Sequence, residues 1–520
     1  MTTSADTAAA TDSTTSGPRA PRSAWIGLFV LMLPCALYAM DLTVLNLAVP
    51  SLSAELKPSS AQLLWIIDIY GFMVAGFLLT MGNLGDRIGR RRLLMFGAVA
   101  FAAGSLLAAF STSAAMLIVT RALLGLAGAT IAPSTLSLIR NMFLNERERT
   151  VAVSIWITSY SIGAALGPVV GGALLEFFWW GSVFLINVPI MALLLVLGPI
   201  LLPEYRDPNP GRIDLVSAAM SLTAVLAVIF GLKQLAQDGP GILSLGVVAL
   251  GLAVGFLFVR RQRALADPLL DIGLFRIPAF SASILVYMMG GMVMLGGFVF
   301  VHQYLQLVRG LSPLEAGLWS LPWGLAFIAG SLLTPRLRRW VSAPTAMAGG
   351  LVVSALGMVY LVTLDTDTTL AAFVLATIVW SLGSAPVFTL TNDLVLSAAP
   401  PERAGAAAGI SETGGELGGA LGIAILGSIG TALYRREMAQ ALPPDLPAQV
   451  ATAARDTLGG AMGVAAELGE PTRELLVESA RDAFLYGLQV TFVAGVVVML
   501  ALAVMVFLVL GRRGAQPQSL

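Results

Sequence analysis

Ionisable residues lie inside long apolar stretches of the sequence, and five of them form two candidate groups. Asp41, Asp68 and Arg121 lie in the first, second and fourth stretches, and Glu412 and Glu416 lie in the thirteenth. A charge at the centre of a membrane helix costs about 2.5 to 3.5 kcal/mol on insertion scales. A chain keeps such residues when a partner, a cavity or a moving proton makes use of them. We therefore expect them to line a transport path.

Asp41, Asp68 and Arg121 form the first candidate group. Counted from the predicted outer ends of their helices, all three lie roughly 10 Å deep at about 1.5 Å per residue. A buried arginine is tolerated when a carboxylate pairs with it. Two interpretations stay open: a fixed ion pair that only locks the bundle, or a proton-coupling site in which protonation of an acid changes the partner of Arg121. The sequence does not say which acid forms the pair.

Glu412 and Glu416 form the second candidate group. They are four residues apart, so both project from one face of a helix. Like charges so placed repel each other, which favours binding of a proton or an organic cation. The alternative is that both glutamates have a structural role and do not contact the ligand. Trp65 and Trp156 are the aromatic residues that we expect to hold a lipophilic cation by cation–π contacts. Other aromatic residues at span ends are more often interface anchors.

Several classes of function are excluded by what the sequence lacks. Cys35 is its only cysteine and His302 its only histidine, so we expect no disulfide framework, no metal site and no Ser-His-Asp triad. A GxxxxGK[ST] phosphate-binding loop is missing, which excludes ATP hydrolysis by this chain. Zero net charge without a basic cluster gives no sign of nucleic-acid binding. We expect no cofactor, a proton gradient as energy source, and His302 at a membrane interface.

The helices that position these residues are read from the apolar pattern. The chain is 57% hydrophobic and 12% charged, whereas soluble domains are about 25% charged. Apolar runs of about 20 residues recur along the chain, which predicts an all-α polytopic membrane protein with fourteen spans. Arginines cluster in alternate loops, so both termini are expected in the cytoplasm. These clusters lie at 87–92, 140–149, 206–212, 260–276, 336–339, 403 and 512–513.

A faint internal repeat predicts the domain organisation. NERERTVAVSIW at 145–156 resembles PPERAGAAAGIS at 400–411, although chance similarity between two arginine-bearing loops is the alternative. The repeat suggests two six-helix bundles separated by two inserted helices, with the substrate site between the halves. The predicted parts are a disordered cytoplasmic tail at 1–22, a six-helix bundle at 23–202, two inserted helices with an interfacial linker at 203–278, a second bundle at 279–510 with an extracellular loop at 435–482, and a cytoplasmic tail at 511–520.

Two glycine-containing motifs indicate moving helices. In GNLGDRIGRRRLL, at 82–94, glycines allow close packing at a cytoplasmic turn, and an aspartate can cap the next helix and pair with an arginine. In GAALGPVVGG, at 163–172, glycines and a proline allow close packing or bending. The residues that we assign to conformational change are Gly82, Asp86, Arg87, Gly89, Arg90, Gly163, Gly167, Pro168 and Gly171.

These two motifs, with LIVTRALLGLAGA at 117–129 and MDLTVLNLAVP at 40–50, resemble signatures of the major facilitator superfamily. The last is similar to the first-helix motif of its fourteen-helix drug:proton antiporters, and nearly the whole chain resembles exporters of quaternary ammonium compounds and cationic dyes. The resemblance implies a major facilitator fold of six, two and six helices. It also implies proton coupling by Asp41 and Arg121 and recognition of cationic drugs by the acids at 412 and 416. One departure is Glu416, where the family pattern has an aspartate.

The expected function is therefore multidrug efflux across a bacterial plasma membrane. Protons would exchange for amphipathic cations such as quaternary ammonium compounds, dyes or biguanides, by alternating access, with the lipid bilayer as the surrounding partner. Asp41, Asp68 and Arg121 would carry proton coupling, and Glu412, Glu416, Trp65 and Trp156 would contact substrate. The alternatives are export of a neutral or anionic antibiotic or natural product, and, in another class, a membrane receptor or membrane-embedded enzyme.

Overall fold

A computed structural model of the chain describes helices and no strand within residues 18–206, 214–238, 241–265, 268–366, 368–398, 404–442 and 446–511. Within these residues, fourteen helical segments are long and apolar enough to cross a membrane. The predicted all-helical fold with fourteen spans is confirmed, and the orientation of the termini stays a prediction. We number the segments as spans 1 to 14 and call the ends expected to face away from the cytoplasm the outer side.

The first six spans, two of them interrupted, precede an inserted pair. Spans 1 to 3 are Arg22–Leu56, Ser60–Ile88 and Arg90–Ala109; span 4 comprises Ala114–Gly128 and Ile131–Met142; span 5 is Glu146–Phe177; span 6 comprises Ser182–Leu185 and Asn187–Leu201; and the inserted spans 7 and 8 are Leu215–Asp238 and Ile242–Ala264.

The last six spans follow a short 3-10 helix at Ile272–Arg276. Span 9 is Pro278–Gln303 with a π-helical end at Tyr304–Val308; spans 10 to 13 are Pro313–Leu337, Ala343–Leu361, Leu370–Ala398 and Ala404–Ala441; two short helices are Ala448–Asp456 and Leu458–Ala465; and span 14 is Thr472–Val509.

Spans 2 and 10 both begin with a capping box. The Ser59 side chain accepts a hydrogen bond from the backbone N–H of Gln62, whose side chain accepts one from the Ser59 backbone in return. Ser312 and Glu315 form the same capping box at the start of span 10. Such boxes satisfy backbone donors that a helix start leaves without partners. Equivalent spans of the two halves thus start on the outer side in the same way.

Helix pairing also repeats between the halves. Span 1 packs on span 5, span 2 on span 4, and span 3 on span 6, as span 9 packs on span 13, span 10 on span 12, and span 11 on span 14. The halves meet where span 2 packs on span 13 and span 5 on span 10. We call these contacts the 2–13 seam and the 5–10 seam. The domain boundaries drawn from the sequence stay predictions.

Among the described residues, the inserted spans pack on the 2–13 seam and not on the 5–10 seam. Spans 7 and 8 pack on each other, and span 7 also packs on spans 2 and 13. Phe72, Ile229, Ala420 and Ala424 form a small buried cluster where the three helices meet. Span 7 therefore contacts both halves at the 2–13 seam.

The outer connection between spans 13 and 14 is shorter than the predicted loop at 435–482. Span 13 continues to Ala441 and span 14 begins at Thr472, because polar, alanine-rich sequence extends both helices beyond their apolar parts. Between them, the helix Leu458–Ala465 packs on span 1. The connection thus closes over the other half on the outer side.

His302 lies in the interior of the second half. His302 is completely buried, not placed at an interface: its Nδ1 lies 3.2 Å from the Phe298 carbonyl and its Nε2 lies 3.3 Å from Ser320 Oγ, because span 10 covers this end of span 9. The terminal tails at 1–17 and 512–520, the loop at 207–213 and the repeat segment at 399–403 lie outside the described residues.

Candidate functional site

Asp41 and Arg121 form a buried ion pair between spans 1 and 4. Each side chain is only 1% exposed, and the guanidinium donates to Asp41 Oδ2. Arg121 Nε also donates to the Ile66 carbonyl at 3.1 Å, and its Cζ lies 4.8 Å from the centroid of the Tyr70 ring. The partner of Arg121, left open by the sequence, is Asp41 in this structure. An arginine buried so deeply requires such a partner.

Asp68 pairs with Lys233 instead. Lys233 Nζ lies 2.7 Å from Asp68 Oδ2, and both side chains are buried. The same ammonium lies 4.0 Å from the centroid of the Trp65 ring. Lys233 belongs to span 7 and was not among the candidate site residues predicted from the sequence. The criterion that singled out Asp68, an ionisable residue inside an apolar stretch, applies equally to this lysine.

The two ion pairs lie on either side of one turn of span 2. Arg121 donates to the carbonyls of Ile66 and Ile67, and the next residue is Asp68. Spans 1, 4, 2 and 7 are thus connected in that order through charged and hydrogen-bonded groups.

Glu412 and Glu416 lie on span 13 near the centre of the bundle. The Tyr38 hydroxyl of span 1 donates to Glu416 Oε1 at 2.6 Å, so this hydrogen bond joins the two halves. Both glutamates keep partial exposure although their span is central. Glu416 thus lies where the halves meet, and Glu412 lies one helical turn away.

Tyrosines supply much of the wall around the two glutamates. The Tyr38 ring lies 6.0 Å from that of Tyr70 and 5.7 Å from that of Tyr160. On the other half, Tyr287 lies against Gly415, one residue before Glu416. Which aromatic residues face the acids depends on helix rotation, so the sequence singled out only Trp65 and Trp156 and left these tyrosines among the other aromatic residues. Aromatic faces beside carboxylates are suited to organic cations.

The two tryptophans expected at the site have different surroundings. Trp156 is buried beside Tyr160, at 5.0 Å between ring centroids, and its Nε1 donates to Thr135 Oγ1 at 2.9 Å. Trp65 faces the ammonium of Lys233, and the cation over its ring belongs to the protein itself. The contact of either tryptophan with substrate stays a prediction.

The motif at 82–94 has the expected ion pair and an unexpected cap. Asp86 Oδ1 lies 2.5 Å from the Arg90 guanidinium. Gly89 adopts φ 109°, a conformation that favours glycine, and permits the sharp turn between spans 2 and 3. The expected cap by Asp86 is wrong, because the Glu204 carboxylate accepts from the backbone N–H of Arg91 at 3.1 Å. This distant residue anchors the turn through ion pairs with Arg91 and Arg92 as well.

The glycines of span 5 face span 1. A Cβ at Gly163 would collide with the Ala36 carbonyl, one at Gly167 with Thr43, and one at Gly171 with Val44. The Pro168 carbonyl contacts Gly317 of span 10 across the 5–10 seam. The expected close packing is therefore present, and bending of span 5 stays a prediction. Gly82, in the other motif, lies near Pro133 of span 4.

The halves are also joined on the outer side. Ser60 Oγ donates to the Asp456 carbonyl at 2.7 Å, and Gln306 Nε2 donates to the Leu47 carbonyl at 3.1 Å. Burial raises the pKa of the Asp456 carboxyl, while the nearby Arg435 opposes this effect. These contacts describe a conformation whose outer side is closed.

Comparisons with known proteins agree with this architecture. The family model described as Major Facilitator Superfamily matches residues 31–423. The multidrug efflux pump LfrA of Mycolicibacterium smegmatis is 44% identical over 495 residues, which cover 95% of this chain and 98% of the relative. The methyl viologen resistance protein SmvA of Salmonella typhimurium is 37% identical over 491 residues, which cover 92% of this chain and 97% of the relative.

Similarity to solved structures concerns the fold. A bacterial homologue of the human lysosomal transporter Spinster, solved in an inward-facing and unoccupied conformation, aligns with a TM-score of 0.65 at 17% identity. The alignment covers 94% of this chain and 97% of that chain. The helix arrangement is thus that of known membrane transporters.

Proposed function

Because the chain belongs to the Major Facilitator Superfamily, we propose that it exchanges protons for amphipathic organic cations by alternating access. The chain is a multi-pass transporter of the bacterial plasma membrane and is not an enzyme. It is also a drug efflux transporter, as its relatives LfrA and SmvA are. The proton as coupling ion, the cationic cargo and the inward orientation of both termini are our proposals.

The observation that carries the proposal is the pair of glutamates beside tyrosine rings where the two halves meet. Glu412 and Glu416 supply up to two negative charges between the halves, and Tyr38 and Tyr287 supply aromatic faces beside them. A quaternary ammonium, dye or biguanide cation needs this combination of charge and aromatic surface. The relative named for resistance to methyl viologen, which is an organic dication, supports a cationic cargo.

Exchange follows when protons and the cation compete for the same carboxylates. With the outer side closed, cargo enters from the cytoplasm and displaces a proton from Glu412 or Glu416. The hydrogen bond from Tyr38 to Glu416 spans the halves, so a change in charge at Glu416 alters how the halves are held together. Reopening to the outer side then exposes the glutamates to external protons, which release the cargo.

Asp41 and Arg121 provide the second part of the mechanism. Their ion pair lies next to Tyr70, which neighbours Tyr38 of the cargo site. Protonation of Asp41 removes the partner of Arg121 and leaves a buried cation without compensation, which strongly favours a different helix arrangement. We therefore assign Asp41 and Arg121 to proton coupling. No cofactor enters this scheme, and the energy source is the proton gradient.

The proposal is tested in proteoliposomes with an imposed pH gradient and ethidium as cargo. Wild-type protein is expected to accumulate ethidium against its gradient, and Asp41→Asn is expected to lose this accumulation, with the control Glu176→Gln, an exposed acid at the outer end of span 5, near wild type. Unchanged accumulation in Asp41→Asn would remove Asp41 from coupling. If the wild type moves only neutral or anionic drugs, the alternative cargo class replaces organic cations.

A further inference from the structure

The proposed exchange assigns no role to the buried pair of Asp68 and Lys233. This ion pair joins span 2 of the first half to span 7 of the inserted pair at 2.7 Å. The chain contains only two lysines, Lys57 and Lys233, against 28 arginines. Lysine and arginine differ physically, since the ammonium is a compact point charge that can release its partner readily, whereas the guanidinium holds carboxylates through two parallel hydrogen bonds.

The ion pair lies on a helix that contacts both halves of the transporter. Span 7 packs on both spans 2 and 13, and these two spans form one of the two seams between the halves. When the halves rock against each other, span 7 cannot keep both sets of contacts unchanged. The ion pair decides which half span 7 follows, because breaking a buried ion pair costs far more than sliding apolar surfaces past one another.

The surroundings of Lys233 also resemble a site for an organic cation. Its ammonium has a carboxylate on one side and the face of Trp65 on the other. A small pocket on the outer side of Lys233 is lined by Ser60, Leu64 and Arg435, among others. The Lys233 ammonium therefore takes the position beside Asp68 that a bound cation would otherwise have.

We propose that Lys233 is a positioning residue of proton coupling. It neutralises Asp68 while the outer side is closed, and a proton replaces it at Asp68 when the 2–13 seam opens. In the closed state the ion pair holds span 7 on the first half. Protonation of Asp68 from the outer side releases Lys233, so span 7 moves relative to span 2. This inference rests on the proposed proton-coupled export.

The other charges near Asp68 and Lys233 are few. From span 4, Arg121 acts electrostatically on Asp68, but its own carboxylate partner is Asp41. From span 13, Arg435 lines the pocket beside Lys233, and it pairs with Asp456 at 3.9 Å. Both arginines thus have acidic partners of their own, and Lys233 remains the cation that contacts Asp68.

The test compares two modes of transport in proteoliposomes containing the full chain and ethidium. The first mode is accumulation driven by a pH gradient, and the second is downhill ethidium efflux without a pH gradient. Lys233→Met is expected to lower the first on the order of tenfold or more and to retain the second, since coupling is lost while the path remains. Lys233→Arg keeps the charge but holds Asp68 more firmly, so we expect it to restore the driven accumulation only in part.

A doubly neutral variant separates coupling from structure. Asp68→Asn with Lys233→Met leaves no unpaired buried charge, so it should fold even if Lys233→Met alone does not. We expect it to keep downhill efflux and to lose driven accumulation. Arg261→Met is the matched control, because Arg261 pairs with Asp214 at 3.0 Å within the inserted helices and does not reach span 2. This control should match wild type in both modes.

Three results have defined meanings. Driven accumulation at the wild-type level in Lys233→Met overturns the inference. Recovery of driven accumulation in the doubly neutral variant also overturns it, because the pair would then be purely structural. Absence of driven accumulation in the wild type overturns the proposed function, and with it the inference.

Discussion

At the scale of residues, the buried cations Arg121 and Lys233 each have one acidic partner. Arg121 is compensated by Asp41, and Lys233 by Asp68. The sequence predicted that such charges need partners but could not assign them, because similar depth in three helices leaves several pairings possible. Helix rotation and the position of span 7 decide the pairing, and neither follows from apolar patterns. The same limit applies to the wall of tyrosines.

The hydrogen bond from Tyr38 to Glu416 offers a prediction at this scale. Tyr38→Phe removes the hydroxyl and keeps the ring, so ethidium export should fall on the order of tenfold or more, because a hydrogen bond to a charged group contributes about 1.5–3 kcal/mol. The measurement is ethidium efflux from cells expressing each variant. In combination with Glu416→Gln, the loss should be no greater than for Glu416→Gln alone.

Tyr360→Phe serves as the control for Tyr38→Phe, because Tyr360 is partly exposed on span 11, away from the glutamates. Additive losses in Tyr38→Phe and Glu416→Gln would show that the two side chains act independently. That result would contradict a shared role at the cargo site.

At the scale of elements, close helix packing is what the sequence predicted best. Small residues spaced four apart in span 5 indicated a close neighbour, and the neighbour is span 1. The capping boxes of spans 2 and 10 follow directly from Ser59 and Ser312. The cap of span 3 could not be predicted, because Glu204 is distant in sequence and reaches the turn only through the packing of span 6 on span 3.

Gly167 allows a test of the close packing between spans 1 and 5. An alanine there would place its Cβ against Thr43 and Met40 of span 1, so Gly167→Ala should destabilise the protein by about 1–3 kcal/mol, the usual cost of overpacking. The measurement is the melting temperature of the detergent-solubilised protein. Gly246→Ala in span 8 is the matched control, since its Cβ would meet open space. Equal melting temperatures for the two variants would mean that spans 1 and 5 separate easily at this contact.

At the scale of the whole molecule, the fourteen spans were predictable because apolar length and arginine placement repeat along the entire chain. The arrangement of the inserted pair was not predictable. Nothing in the apolar pattern of spans 7 and 8 distinguishes the 2–13 seam from the 5–10 seam. That choice depends on Lys233 and on the buried contact of Ile229 with Phe72 and Ala420. The fold is therefore symmetric in its halves and asymmetric in how its seams are covered.

Closure of the outer side yields the last prediction. Alternating access requires Ser60 and Asp456 to separate in each cycle, because their hydrogen bond joins the halves at 2.7 Å. In a Cys35→Ala background, which removes the only native thiol, Ser60→Cys with Asp456→Cys should form a disulfide under mild oxidation. Ethidium export should then stop and should return after reduction, since the cross-link holds the outer side closed.

Ser354→Cys with Ser384→Cys, in the same background, is the cross-link within one half. The two hydroxyl oxygens lie 3.0 Å apart between spans 11 and 12, which both belong to the second half, so a disulfide there constrains no seam. Oxidation of this variant should leave export unchanged. Continued export by the Ser60–Asp456 cross-linked protein would mean that the halves move without separating there, and cargo would have to leave by a path other than the outer opening between spans 2 and 13.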